Sequence, residues 1–410
     1  MPSARSQRGL DWLTFFAADV QTGFGPFIAV YLTAHHWSAA QVGLALSVGT
    51  LTAMVAQVPA GMLVDATRHK RMAALLALIA IAGSALLLAL WPSTIPVMAS
   101  EVLHGIASAV LVPALAAISL SMVGRAELST RLGRNGRYAS LGNAAAAAGL
   151  GLAGAYISAA SVFWLTALLT IPAILALRSI RSQDLQAKVR SIRSRRRRKR
   201  KLRDLLLDRG VLIFAACCAL FTLSNAAMLP LAGAEATHAS GGKANLIVGA
   251  GLVVSQIVVA AISPRIGEVA ETRGRRVLLL AGLSVLPIRG ALLAFWGGPW
   301  ALMAAQALDG LTAGVFAVLV PLVAADLTRG TNRFNLCMGL FGLAVGIGGS
   351  ISTTAAGAVA SWAGPSIAFI GLGGVGVLTF LLVLFAMPET RQSPRPEPQP
   401  QPDQAPALTG

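Results

Sequence analysis

The sequence predicts an all-α membrane protein in which twelve transmembrane helices form two parallel six-helix repeats, with both termini in the cytoplasm. Three observations support this fold class. Of the 410 residues, 55% are hydrophobic and 12% are charged, and this charged fraction is about half that of an ordinary soluble domain. The basic residues are concentrated in alternate loops, and one charged loop motif occurs twice, 206 residues apart.

The apolar runs are rich in Ala, Leu and Gly and about 20 residues long, which favours membrane helices over the ten-residue alternating strands of an outer-membrane barrel. In order, the predicted helices cover residues 11–33, 40–64, 72–91, 95–122, 138–159, 161–178, 211–232, 245–264, 277–296, 300–327, 335–360 and 366–387. Because the first run contains Asp11 and Asp19, we do not expect it to be a cleaved signal peptide.

A basic segment separates the first six predicted helices from the last six. The predicted domains are an N-terminal six-helix bundle, a basic cytoplasmic central loop, a C-terminal six-helix bundle and a disordered proline-rich cytoplasmic tail, at residues 1–178, 179–210, 211–388 and 389–410.

The placement of the basic residues predicts the orientation in the membrane. The net charge of +17 suggests a nucleic-acid binder, but the termini and the even-numbered loops hold 31 of the 33 Lys and Arg residues. The exceptions are Lys243 in an outward loop and Arg289 in helix 9. This asymmetry is typical of cytoplasmic loops. The polybasic run at 193–203 also fits a nuclear-localisation pattern, but a loop beside anionic headgroups explains it better, so no nucleic-acid partner is expected.

The internal repeat extends beyond the charged loop. GMLVDATRHKR at 61–71 is echoed by GEVAETRGRR at 267–276, and EVLHG at 101–105 in helix 4 by QALDG at 306–310 in helix 10. Arg137-Tyr138 is paired in the same way with Arg333-Phe334. Two parallel six-helix repeats are typical of one large class of secondary transporters, whose substrate site lies between the halves near the membrane midplane.

The first copy of the loop resembles the cytoplasmic signature of the major facilitator superfamily, Gly-x-Leu-x-Asp-Arg-x-Gly-Arg-Lys/Arg. Four positions match: Gly61, Leu63, Asp65 and Lys70. Ala66 replaces the usual Arg and Arg68 the usual Gly. The second copy has the glycine, Gly274, but carries Glu271 in place of Asp.

This resemblance implies a cytoplasmic gate. In the family the loop carboxylate, here Asp65, contacts the amino-terminal end of helix 11, where it meets unpaired N–H groups and the positive end of the helix dipole, and the bases pair with acids on neighbouring helix ends. Such contacts need the two halves to touch on the cytoplasmic side, so they favour the outward-facing state. The alternative is a topogenic loop with no gating role. The predicted gate residues are Gly61, Asp65, Lys70, Arg71, Gly267, Glu271, Gly274, Arg275 and Arg276.

Ionisable residues inside membrane helices are costly and are therefore functional candidates. The resemblance implies that helices 1, 4, 7 and 10 line the central cavity. The candidate proton-coupling and substrate residues there are Asp19, Glu101, His104, Asn225, Gln306 and Asp309. Glu101 and His104 share a helix face, and a proton and a substrate can compete for a buried carboxylate. The alternatives are a structural hydrogen bond for Asp19 and a structural pair for Glu101 and His104. Arg289 is expected to be structural, with a carboxylate partner.

The helix 4 segment also resembles the Arg-x-x-Gln-Gly signature of the proton-coupled carriers in this family. Glu101 stands in the Arg position and His104 in the Gln position. Helix 5 keeps the glycines of the family's drug exporters but lacks their Gly-Pro pair, which weakens the case for antiport. The literal Gly-x-Gly-x-x-Gly at 149–154 lies in a predicted membrane helix, where small residues allow close packing, so no dinucleotide is expected.

The predicted function is proton-coupled secondary transport of a small organic solute by alternating access, in a bacterial inner membrane. Export, as in a proton antiporter, is favoured because the predicted cavity is acid-rich. The alternatives are a proton symporter that imports a metabolite and a non-transporting membrane sensor or scaffold with the same fold. No phosphate-binding lysine loop or hydrolytic triad is found, so no enzymatic activity, catalytic residue, metal or cofactor is expected. The expected partners of this predicted monomer are the solute, protons and membrane lipids.

Overall fold

The computed structural model describes residues 2–22, 26–37, 39–67, 69–185, 207–233, 244–329, 331 and 333–391. All regular structure within these residues is helical. Most of the predicted central loop, with its polybasic run, lies outside the described residues. So do Arg68, Lys243 and the tail from residue 392 onwards.

Apolar runs bounded by charged or glycine-containing loops form the helices. In chain order they are α1 (Ala4–Thr22), α2 (Pro26–Ala34), α3 (Ala39–Ala66), α4 (Lys70–Leu90), α5 (Thr94–Val123), α6 (Leu128–Tyr156), α7 (Ser161–Ser179), α8 (Arg209–Asn225), α9 (Ala244–Arg273), α10 (Arg275–Leu283), α11 (Val285–Phe295), α12 (Gly298–Leu327), α13 (Phe334–Ala363) and α14 (Pro365–Ala386). Residues 182–185 and 228–233 are further short helical stretches.

Ten stretches of the described residues are long and apolar enough to cross a membrane. They comprise α3, α4, α5, α7, α8 with its extension to Gly233, α9, α10 with α11, α12, α13 and α14. The predicted first span is divided into α1 and α2, and the residues between them lie outside the description. The predicted fifth span corresponds to α6, whose first three turns carry arginines. The structure is therefore an all-helical, multi-pass arrangement.

The fifth predicted helix begins at Leu128, ten residues before the predicted start. The added segment carries three arginines and lies outside the apolar run from which the helix was predicted, and a buried acid compensates two of them. Arg131 Nη2 lies 2.6 Å from Asp11 Oδ1 of α1, and Arg134 pairs with the other oxygen of the same carboxylate. The partner is 120 residues away in the chain, so the local sequence gave no sign of it.

The early start of α6 also corrects one repeat pairing. Arg137-Tyr138 lies inside α6 and not at its entrance, so its alignment with Arg333-Phe334 is wrong. Close backbone approaches give the true register. A Cβ built on Gly61 would lie 2.1 Å from the carbonyl oxygen of Asn335, and one built on Gly267 would lie 2.4 Å from that of Ser129. Gly267 lies 206 residues after Gly61, and Ser129 lies 206 residues before Asn335. The two contacts therefore join equivalent positions of the repeat, with the two halves exchanged.

Two helix pairs make the main contacts between the halves: α3 packs on α13, and α6 packs on α9, with smaller contacts of α6 with α12 and of α5 with α13. Both pairs converge at the end that carries the charged loops, where Gly61 and Gly267 allow close contact. Towards the opposite end, Gly43 of α3 and Gly357 of α13 have no atom of the described residues within 4 Å of the Cβ position. The same is true of Gly149 in α6. The halves therefore touch at the charged end and separate towards the other.

Candidate functional site

At the charged end, Asp65 bridges the two halves of the molecule. Its carboxylate accepts hydrogen bonds from the backbone N–H of Asn335 at 3.0 Å, from the Asn335 side-chain amide at 2.7 Å and from the backbone N–H of Leu336 at 2.8 Å. These groups form the first turn of α13, whose own preceding residue, Arg333, provides no side-chain cap. A carboxylate from the other half thus caps this helix, as the family resemblance implies.

The two bases of the first loop, Lys70 and Arg71, donate hydrogen bonds to different groups. Lys70 donates to the carbonyl of Val64. Arg71 donates to Ser182 Oγ at 2.7 Å and to the carbonyl of Arg178 at 3.5 Å. Among the residues that the structure describes, Arg71 therefore contacts polar groups at the end of α7, where helix carbonyls attract a cation.

The second loop uses its acid differently. Glu271 Oε1 lies 2.9 Å from Arg275 Nη2, within its own half. Arg275 is buried and also contacts Asp326 Oδ2 at the end of α12, at 3.1 Å. Glu127, which precedes α6, provides no side-chain cap for that helix. The acid of one copy therefore joins the halves, whereas the acid of the other contributes to an ion-pair cluster within the C-terminal half.

Glu389 completes the second loop, and the sequence analysis had assigned it to the disordered tail. Its carboxylate accepts from the backbone N–H of Arg275 at 2.9 Å and from that of Arg276 at 3.1 Å, and it thereby caps α10. Gly274 stands beside it with a φ of +94°, a conformation that favours glycine. Arg276 also donates to the carbonyl of Leu384 in α14. An isolated acid directly after the last apolar run was the available signal.

Two further arginines join the halves at the same end and were not predicted. Arg125, which follows α5, donates to the carbonyls of Ala325 and Thr328 at the end of α12. Arg137 of α6 donates to the carbonyl of Ala260 in α9 at 3.2 Å. Each of these contacts places a cation on helix carbonyls of the other half, so the charged end is closed by several cross-half bonds in addition to Asp65.

Within the membrane region, a buried arginine organises the C-terminal half. Arg289 of α11 is 1% exposed. Its Nη1 lies 2.9 Å from Asp309 Oδ1 and also donates to Asn225 Oδ1, and its Nε donates to the carbonyl of Ala305 at 3.0 Å. Ser255 Oγ donates to Asp309 Oδ2 at 3.0 Å. The expected carboxylate partner of Arg289 is therefore confirmed, and Asp309 is an ion-paired carboxylate.

Besides Asp11, which pairs with Arg131 and Arg134, the N-terminal half holds two further buried acids. Asp19 of α1 and Glu101 of α5 are each 4% exposed. Glu101 lies against α3, where a Cβ built on Gly49 would come within 2.1 Å of Glu101 Oε2. Glu101 Oε1 has no hydrogen-bond partner among the described residues. His104, one turn further along α5, has its Nε2 3.2 Å from Ser108 Oγ.

The repeat explains why the two halves differ in charge. Ser100 donates to the carbonyl of Ser84 in one half, and Arg289 donates to the carbonyl of Ala305 in the other. Both contacts join the same two helices of the repeat, and Ser84 occupies the position of Arg289, 205 residues earlier. The N-terminal half therefore has a small hydroxyl side chain where the C-terminal half has its buried base.

The six candidate cavity residues are thus partly brought together. Asn225 and Asp309 meet through Arg289. Gln306, the repeat equivalent of Glu101, is buried against Gly251 of α9. Among the described residues, no hydrogen bond or ion pair links Asp19 or Glu101 to another candidate.

A polar stripe on α13 was missed by the sequence analysis. Gly339 and Gly346 on this helix contact α3 through Gln57 and Met54. The same face continues at helical spacing beyond this contact, and its exposed hydroxyl residues are Ser350, Thr353 and Thr354. Each donates to a carbonyl about one turn earlier in α13, so these side chains can lie in an apolar region without unpaired hydroxyls. They line the gap that opens between the halves.

Comparisons with known proteins agree with this architecture. A family model described as Major Facilitator Superfamily matches residues 10–268 and 222–409. Two curated relatives, both named as uncharacterized MFS-type transporters, come from the CDC 1551 / Oshkosh and H37Rv strains of Mycobacterium tuberculosis. Each is 35% identical over 395 residues, which cover 95% of this chain and 94% of the relative.

Among solved structures, the chain is similar to the human organic anion transporter MFSD10 (TETRAN). The TM-score is 0.73, and the match covers 93% of this chain and 100% of that one. The sequence identity is 16%, so this likeness concerns the fold alone.

Proposed function

The chain belongs to the major facilitator superfamily, and on that premise we propose that it is a proton-coupled secondary transporter that exports a small organic solute by alternating access. We place it in a bacterial inner membrane with twelve spans: the ten stretches described above, α1 with α2, and α6. Both termini are cytoplasmic in this proposal, because the bases are concentrated at the end where the chain begins.

The arrangement of the halves supports an outward-facing state. The bonds from Asp65 to the first turn of α13, and from Arg125 to the end of α12, require the halves to touch at the charged end. The gap at the other end exposes the hydroxyl stripe of α13. Breaking the first set of bonds would be required to open the cytoplasmic side, so Asp65 acts as a gate in this proposal.

The observation that carries proton coupling is the charge imbalance between the halves. Arg289 neutralises Asp309 in the C-terminal half. In the N-terminal half, Asp19 and Glu101 are buried, and no base among the described residues forms an ion pair with either of them. A buried carboxylate without a cation is costly, so it is stable when it holds a proton or a bound cation. Exchange of the two is the basis of antiport.

The same imbalance favours a cationic or amphipathic organic solute. Two buried acids attract positive charge, and the hydroxyl stripe of α13 provides weak polar contacts beside apolar surface. The structurally similar human protein is named for organic anions, which are opposite in charge to the solute proposed here. The charge of the transported solute therefore distinguishes this proposal from transport of an organic anion.

We expect purified protein in liposomes to accumulate ethidium when the interior is acidic and the exterior is alkaline. Ethidium is a permanent cation, so a pH gradient does not trap it in the way it traps a weak base. Accumulation should be at least about tenfold above that in protein-free liposomes, and nigericin should abolish it by collapsing the gradient. An internal pH dye should report proton loss in step with ethidium entry.

The same liposomes separate the alternatives. Uptake driven by an acidic exterior would indicate a symporter that imports its solute. Transport of carboxyfluorescein in place of ethidium would indicate an anion carrier and would contradict the proposed substrate class. Absence of gradient-driven flux for every compound in a broad panel would favour a sensor or scaffold and overturn the transport proposal.

For the gate, we expect Asp65→Asn to slow turnover more than it weakens substrate binding. The amide loses the charge and one acceptor oxygen that now face the first turn of α13. Because hydrogen bonds to charged groups are worth about 1.5–3 kcal/mol, the outward-facing state should lose roughly ten- to a hundredfold in its equilibrium. The measurement is kcat and KM for ethidium flux in liposomes.

Glu271→Gln is the matched control, since it makes the same charge change in the second loop, where the carboxylate stays within its own half. Its turnover should fall less than that of Asp65→Asn. Unchanged turnover in Asp65→Asn would remove the gating role and leave the loop as a topogenic element.

A further inference from the structure

A groove between α1 and α7 lies on the side of the N-terminal half that the candidate site does not use. Its volume is about 510 Å³, and its lining includes Arg5, Arg8, Trp12, Phe16, Pro172 and Leu175. The two helices are in close contact at Gly9, where an added Cβ would lie 2.1 Å from Ser179 Oγ. Within the described residues, α1 packs on helices of its own half, so the groove opens away from the C-terminal half and towards lipid.

The lining changes in character along α1. Arg5 and Arg8 occupy the first two turns and are exposed. Trp12 follows one turn later with half of its surface exposed, and Phe16 follows one turn after that. At 1.5 Å per residue, the distance along the helix from Arg8 to Phe16 is about 12 Å. This order, cation then indole then apolar ring, matches the order of headgroup, interface and acyl chain in a phospholipid leaflet.

The two arginines are available to a ligand. Neither forms an ion pair with any residue that the structure describes. Asp184, an acid at the same end, has its carboxylate engaged by Ser3 Oγ at 2.6 Å and Ser6 Oγ at 2.5 Å. The hydrogen bonds from Ser3 and then Ser6 hold the pKa of Asp184 below its usual value. This contact fixes the start of α1 beside the end of α7, so both arginines are held at the mouth of the groove.

We propose that this groove binds an anionic glycerophospholipid, with Arg5 and Arg8 on its phosphate group and the apolar lining along its acyl chains. A free phosphate would satisfy the arginines but leave the apolar lining uncovered. A zwitterionic lipid would cover the lining, but its headgroup carries a cation that the arginines repel. An anionic lipid satisfies both parts of the groove.

The test is native mass spectrometry of the purified full-length protein in detergent, titrated with dioleoylphosphatidylglycerol or with dioleoylphosphatidylcholine. The acyl chains are identical, so the comparison isolates the headgroup. We expect the anionic lipid to bind at least tenfold more tightly. The double variant Arg5→Gln, Arg8→Gln should lose that preference and bind the two lipids within about threefold of each other. The exposed pair on α9 provides the matched control: Arg265→Gln, Arg273→Gln should keep it.

Fluorescence locates the bound lipid. Phosphatidylglycerol with brominated acyl chains should quench the wild-type protein more than the Trp12→Phe variant, because Trp12 lines the groove. Equal loss of preference in both double variants would attribute the effect to net charge and overturn the site. Competition by soluble glycerophosphoglycerol at the same concentration as the lipid would show that the arginines bind phosphate alone, and would also overturn it.

Discussion

Arg289→Met is expected to destabilise the protein by about 3–5 kcal/mol, because it removes a fully buried cation and leaves a partly buried carboxylate without its partner. Arg289 contacts Asp309 at 2.9 Å, and the same side chain donates to Asn225 and to the carbonyl of Ala305. Removing it therefore leaves three acceptors on two helices, α8 and α12, without this donor. The measurement is the midpoint of thermal unfolding in detergent, which should fall by roughly 6–12 °C.

Two further variants separate the buried pair from a general loss of charge. Arg329→Met removes an arginine that is 45% exposed and lies 3.8 Å from Asp326. Because exposed pairs contribute about 0–1 kcal/mol, its midpoint should be nearly unchanged. The double variant Arg289→Met, Asp309→Asn should recover part of the loss, since it buries no unpaired charge. A midpoint for Arg289→Met equal to that of Arg329→Met would contradict the ion-pair network.

Glu101→Gln is expected to abolish flux driven by a pH gradient while solute exchange at equal pH continues. Glutamine has nearly the shape of a protonated glutamic acid but cannot release a proton. Glu101 is buried beside Gly49, and its Oε1 has no hydrogen-bond partner among the described residues. We expect gradient-driven ethidium accumulation to fall at least about a hundredfold. Counterflow of ethidium without a gradient should fall less than about fivefold.

The matched control for Glu101 is Glu268→Gln, which removes an exposed acid near the charged end of α9 and should keep gradient-driven flux. The other candidates require the same assay: Asp19→Asn, His104→Ala and Asp309→Asn. If gradient-driven flux survived all four site variants, the assignment of the coupling site would be wrong. If counterflow were lost together with driven flux in Glu101→Gln, Glu101 would be required for binding or folding and not for coupling.

Much of the architecture could be predicted because a membrane-spanning helix needs an apolar run of about 20 residues. The lengths of the apolar runs predict the spans, and the two copies of the charged loop reveal the internal repeat. The contact between Asp65 and the first turn of α13 was implied by the family resemblance. The same reasoning failed at α6, where it excluded a segment that contains Arg131 and Arg134. Their partner, Asp11, is distant in the chain, and local hydropathy carries no information about such pairs.

The ionisable residues inside the apolar runs could be identified one by one from the sequence, but their pairing could not. Ionisable residues in apolar runs identified Asp309 and Arg289 separately, because each is costly in a bilayer. Their mutual contact depends on the packing of α11 against α12. Glu389 was missed for a similar reason. The residues around Glu389 resemble the proline-rich tail in composition, yet Glu389 caps α10. Only folding brings its carboxylate to the start of that helix.

The central claim is that a proton and a cationic solute compete for the buried acids of the N-terminal half. The most direct test is proton release on solute binding, measured with a pH indicator in weakly buffered detergent solution as ethidium is added to the purified protein. Between pH 6 and 8, the wild-type protein should release protons in proportion to the ethidium bound, and the double variant Asp19→Asn, Glu101→Gln should release almost none. Equal proton release by the two proteins would contradict the claim.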